Sequence, residues 1–141
     1  MLRRLVVAPA LALLLAGCGE GPTGPKGGML LVGRFGNPDL HAELVAIRAG
    51  AELNLPCGEY FSAAEPIVLG ALQTFRVDGR WSPVDFGGPG TPRDAELRGV
   101  YVDGVLTVTL SVAGHQTYTL ALQHDVDGEV DAVLCASKRG A

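Results

Sequence analysis

The chain has 141 residues, with 11 Lys and Arg against 15 Asp and Glu and a formal net charge of −4. Beyond residue 17 the balance is nine basic against fifteen acidic residues, about −6, which is the wrong sign for neutralising nucleic-acid phosphates or for a polybasic contact with an anionic membrane. The length fits one domain with a core of its own.

Met1-Leu2-Arg3-Arg4 opens the chain, and an apolar run follows from Leu5 to Ala16. Two basic residues and about a dozen apolar ones make the layout of a secretory signal peptide, since a spanning helix needs roughly 20. The run ends in Leu15-Ala16-Gly17-Cys18, where Ala16 and Gly17 offer a peptidase no bulk near the backbone. This stretch resembles the lipobox of bacterial lipoproteins. The resemblance implies cleavage before Cys18, a diacylglycerol on its thiol, and often acylation of the new amino group by a palmitate-type chain. The alternatives are an ordinary secretory signal with an incidental cysteine, or a twin-arginine route for which Arg3-Arg4 lacks the surrounding motif. The expected location is therefore the cell envelope, lipid-anchored to a membrane and facing the periplasm or the exterior.

The expected parts are a signal peptide over 1–17, a tether over 18–28 and one domain over 29–141. Gly19-Glu20-Gly21-Pro22-Thr23-Gly24-Pro25-Lys26-Gly27-Gly28 is a linker composition that cannot bury a core. With Cys18 assigned to lipid, Cys57 and Cys135 remain as a pair in an exported chain, and a disulfide is expected. Closing a loop of about 78 residues corresponds to roughly 4–5 kcal/mol in the chain-entropy picture. A cysteine metal or redox site is the alternative, and no CxxC supports it.

From residue 39 onward the pattern has period two. Ala42, Leu44 and Ala46 alternate with Glu43, Val45 and Ile47; residues 48–51 turn; Leu53 and Leu55 lead to Cys57. Gln73 to Val77 runs into Asp78-Gly79, a hairpin signal, with Trp81 to Phe86 as the return strand and Pro83 marking it as an edge or bulge. Asp94 to Val102, Asp103-Gly104 and Val105 to Val112 form the cleanest hairpin. Tyr118, Leu120 and Leu122 mark the next strand, Asp127-Gly128 another turn, and Glu129 to Cys135 the closing strand. Ser62 to Leu72 is ambiguous, with Pro66 and Gly70 against a helix. The expected fold is all-β, an antiparallel up-and-down meander of about seven or eight strands that buries its apolar face as a small barrel or a sandwich.

Gly33-Arg34-Phe35-Gly36, His41-Ala42 with Leu44, Gly50-Ala51 before Cys57-Gly58, Gly87-Gly88-Pro89, Tyr101 with residues 103–108, and Tyr118-Thr119-Leu120 before Cys135 cover most of the domain. On these residues the domain resembles a group of small exported bacterial proteins with no assigned activity. The resemblance implies a shared β fold with two spaced cysteines.

No complete chemical motif emerges. His41, His115 and His124 lack zinc-ligand spacing, although His41 and Glu43 stand two apart on one expected strand face. Residues 125–131 carry three aspartates and a glutamate, but their glycine falls at the wrong position for a calcium loop. Ser62, Ser82, Ser111 and Ser137 have no nucleophile elbow, and neither Gly27-Gly28 nor the glycines at 87–90 lead to a phosphate-cradling helix. Trp81, Tyr60 and Phe61 read as core before ligand platform. No catalytic residue, metal or cofactor is expected, and no enzyme. The expectation is a non-enzymatic binding or structural module with a protein or small-molecule partner. One alternative is a lipocalin-like carrier of a small apolar ligand in a cavity lined by Leu106, Val108, Tyr118 and Leu120; the other is an envelope enzyme.

Overall fold

A computed structural model describes residues 28–85, 88–115 and 117–130. In chain order the strands are β1 (Met29–Leu30), β2 (Gly33–Asn37), β3 (Ala42–Ile47), β4 (Gly50–Asn54), β5 (Tyr60–Ala63), β6 (Val68–Leu69), β7 (Thr74–Ser82), β8 (Val84–Asp85), β9 (Gly88–Pro89), β10 (Arg93–Val102), β11 (Val105–Val112) and β12 (Thr117–His124). One 3₁₀ turn, Pro56–Gly58, joins β4 to β5. Eight strands close into a barrel in the order β2-β3-β4-β5-β7-β10-β11-β12 and back to β2, every neighbour antiparallel.

Period-two patterning explains the closure. Phe35, Leu44, Leu53, Phe61, Val77, Leu97, Val108, Leu110 and Leu122 all turn inward and are buried. A sheet with one apolar face removes that face from water by curling onto itself, and closure leaves no strand edge. The two halves differ. β7, β10 and β11 pair over eight rungs, whereas β5 meets β7 over three and β12 meets β2 over two, Gln123↔Gly36 and His124↔Phe35.

Strand directions define two ends. At the lower end β1 pairs with β6, and Leu31 N–H donates to the Ile67 carbonyl at 2.9 Å. Leu31, Ile67 and Leu69 are buried there and plug the barrel floor. The upper end carries the 3₁₀ turn, the β8–β9 pair and the turn after β11.

Asp103-Gly104 is a two-residue hairpin turn as expected, with φ of 51° and 80°, the left-handed pair such a turn requires. Asp78-Gly79 is not a turn. Thr74–Ser82 is one unbroken strand, so the expected return strand from Trp81 to Phe86 does not exist as such. Gly79 serves a close approach: a Cβ there would stand 2.3 Å from the Ser62 carbonyl and 2.5 Å from the Phe61 ring. Asp127-Gly128 is not a hairpin either. β12 ends at His124 and closes the barrel, and residues 126–129 form no strand. The expected closing strand from Glu129 to Cys135 is therefore absent over its described part, and residues 131–141 lie outside the described residues. The ambiguous stretch from Ser62 resolves into the end of β5, β6 and turns, with no helix.

Candidate functional site

The interior is filled. Trp81, Phe35 and Phe61 are the largest fully buried side chains, and Ala42, Ala46, Ala51 and Ala63 line the half with short strands. An eight-stranded barrel is just wide enough for side chains to fill, and bulky rings facing alanine and glycine do so here. Phe35 meets Tyr101 edge-on at 5.8 Å and tilts against His124 at 5.0 Å. Leu106 and Val108 are fully buried; Tyr118 and Leu120 pack against the same core while partly exposed. Among the described residues two concavities lie on the outer wall. One of about 690 Å³ is lined by Arg76, Arg98, Thr107 and Thr109, and one of about 520 Å³ by Asp78, Asp94, Glu96 and Ser111.

That outer wall is a ladder of charges. The register sets Arg76 opposite Arg98, Asp78 opposite Glu96, and Arg80 opposite Asp94. Like charges directly opposite repel, and Glu96, shared between the two facing arginines, relieves this. Arg76 Nε lies 2.5 Å from a Glu96 oxygen, and Arg98 Nε donates to the other. Arg80 Nη1 donates to Asp94 at 2.6 Å. The Arg98 hydrogen bond, against the desolvation that raises it and with help from the nearby Arg76 charge, holds the Glu96 carboxyl below its usual range. Exposed pairs of this kind contribute little stability singly; they keep the wall polar. A membrane-spanning barrel is apolar outside, and this wall is the reverse.

At the upper end Tyr118 Oη donates to Glu59 at 3.1 Å, tying β12 to the turn across the barrel mouth. Trp81 stands edge-on to His115 at 5.1 Å. Its indole Nε1 is buried without a hydrogen-bond partner.

His41 and Glu43 do not share a strand face. His41 precedes β3 with a φ of 48°. Both hold the segment after β12, which crosses the outside of β2 and β3 as a strap. Asp125 N–H donates to the Arg34 carbonyl at 2.8 Å, and Gly128 N–H to Glu43 at 3.2 Å. His41 Nδ1 lies 3.3 Å from the Glu129 carbonyl, and Arg34 Nε 3.5 Å from Glu43. The carboxylates suspected of a calcium loop have local roles. Asp127 accepts from Glu129 N–H at 2.7 Å and faces Arg34 at 3.7 Å, and Asp125 faces His124 at 3.4 Å. Among the described residues no three metal-ligating side chains cluster.

Cys57 sits in the 3₁₀ turn with a φ of 72°. Cys135 and Cys18 lie outside the described residues. Phe61 and Trp81 are core, while Tyr60 is exposed. Sequence reasoning missed the charge ladder. Its signal, Arg76-Asp78-Arg80 and Asp94-Glu96-Arg98 at alternate positions, is visible in the chain, but reading Asp78-Gly79 as a turn set the two triplets in the wrong relation. No family model matches the chain, and comparison with curated proteins and with solved structures finds no match.

Proposed function

We propose that the chain is an exported lipoprotein, anchored through lipid on Cys18, whose barrel serves the cell envelope as a non-enzymatic binding or structural module working through its outer surface. The observation that carries the second half is the filled interior: Leu106, Val108 and the three buried rings of Phe35, Phe61 and Trp81 occupy the space a carried ligand would need. It weighs against the lipocalin-like alternative. The Leu15-Ala16-Gly17-Cys18 sequence supports the first half. An exported chain reaches an oxidising compartment, where Cys57 and Cys135 pair as a disulfide.

Metabolic labelling with a palmitate analogue and membrane fractionation test the anchor. The wild-type chain labels and pellets with membranes, and Cys18→Ser does neither. A Cys18→Ser chain that still labels and pellets sinks the reading.

A further inference from the structure

The exposed apolar side chains are distributed unevenly between the two ends of the barrel. Among the described residues ten large hydrophobics are exposed, and seven of them belong to the lower end. Met29 and Leu30 stand on the floor strand, with Val32 just before β2. Ile47 ends β3, Leu72 occupies the turn before β7, and Val102 and Val105 flank the Asp103-Gly104 turn. Leu72 is 81% exposed, Val102 55% and Ile47 52%. The upper end has Leu40, Tyr60 and Val84. Side chains of this size scattered singly need no explanation, but a rim of them around one end does.

Residue 28 enters the fold at this same lower end. Ten residues of Gly/Pro-rich chain separate Cys18 from Met29. Ten residues reach at most about 35 Å when fully extended. We infer that the lower rim docks on the lipid surface in which the chain's own anchor is embedded, so that the barrel stands upright with its charged wall and upper end presented outward. The inference rests on the lipid anchor proposed above. The tether supplies a high local concentration of bilayer to this end alone, so a contact too weak to bind membranes unaided suffices to orient the domain. Apolar side chains on such a surface reach about 5–10 Å into the headgroup and acyl boundary.

The charges at the rim set the lipid preference. Asp103 stands at the tip between Val102 and Val105, Glu65 and Asp125 are exposed nearby, and Arg48 is the exposed cation of the β3–β4 turn. The rim is net acidic, so docking weakens as anionic lipid is added.

Tryptophan fluorescence in vesicles tests this, because Trp81 is the sole native tryptophan and is buried. The lipidated full chain carrying Leu72→Trp, Val102→Trp or, at the upper end, Val84→Trp is reconstituted in phosphatidylcholine vesicles with brominated acyl chains. The emission added at 72 and 102 falls about twofold with a blue shift, as expected for this depth, and that added at 84 does not change. Phosphatidylglycerol in the vesicles reduces the quenching. Equal quenching at all three positions, or none at 72 and 102, overturns the docking. A blue shift at 72 and 102 that grows with protein concentration without lipid also overturns it, in favour of a second copy on the rim. Intact mass of the same preparation reports the lipid separately. A lipidated chain without quenching counts against the docking alone, whereas an unlipidated chain counts against the anchor and the docking together.

Discussion

Gly79 shows how one residue type serves two opposite purposes. After an aspartate it reads as a hairpin turn, yet here it lies in mid-strand because the Phe61 ring and the Ser62 carbonyl occupy the place of its side chain. The contact at 2.3 Å is to backbone, which cannot swing aside as a side-chain tip can. Gly79→Val is therefore expected to destabilise the fold by about 1–3 kcal/mol, the usual cost of overpacking a core. Gly104→Val, with open space around it but a φ of 80°, tests the contrasting cause, backbone strain. Denaturant melts of both variants check this. A Gly79→Val midpoint equal to wild type would mean that β5 can move away, and that the ring does not fix the β5–β7 register.

At the scale of an element, the strap after β12 compensates for a weak closure. β12 holds β2 through only two ladder rungs, and Asn37 adds a side-chain hydrogen bond to the Ala121 carbonyl at 2.9 Å. The strap then lies across the outer face of β2 and β3, secured by Glu43, His41 and Arg34. Gly36 makes room for it, since a Cβ there would stand 2.2 Å from the Val126 carbonyl. Gly36→Val should lift the strap. The expected result is faster hydrogen exchange at Gly128 and earlier proteolysis beyond residue 125, with the far-ultraviolet spectrum of the barrel unchanged. Unaltered exchange at Gly128 would show that the strap is held from elsewhere.

For the molecule as a whole, the strap heads toward the upper end, where Cys57 waits in its 3₁₀ turn. A Cys57–Cys135 bond would fasten the chain's end to the barrel mouth and hold the strap over the short β12–β2 seam. Peptide mapping of the non-reduced chain should yield one cross-linked pair containing both residues. With that bond in place, Cys135→Ser should cost on the order of 2–5 kcal/mol, the usual loss when a small domain loses a disulfide. A cross-link of Cys57 to Cys18 would overturn the pairing and the anchor together, because a lipidated thiol cannot also form a disulfide.

How much of this was legible beforehand depended on the range of the interaction involved. Alternation along Val105–Val112 and the Asp103-Gly104 turn are local facts: side-chain period and backbone handedness act within a few residues, and they led directly to an all-β antiparallel meander. The Leu-Ala-Gly-Cys stretch is likewise a local pattern. What only the tertiary structure decided was how distant pieces meet. Whether Asp78-Gly79 bends or runs straight depends on Phe61, a residue far enough away in sequence that no local window contains both. His41 and Glu43 look like a ligand pair until a strap from more than 80 residues later is laid over them. Barrel or sandwich was undecidable from alternation because both bury one face of every strand. The choice fell to the two rungs between β12 and β2, a pairing between the two ends of the barrel sheet that no neighbouring residue announces.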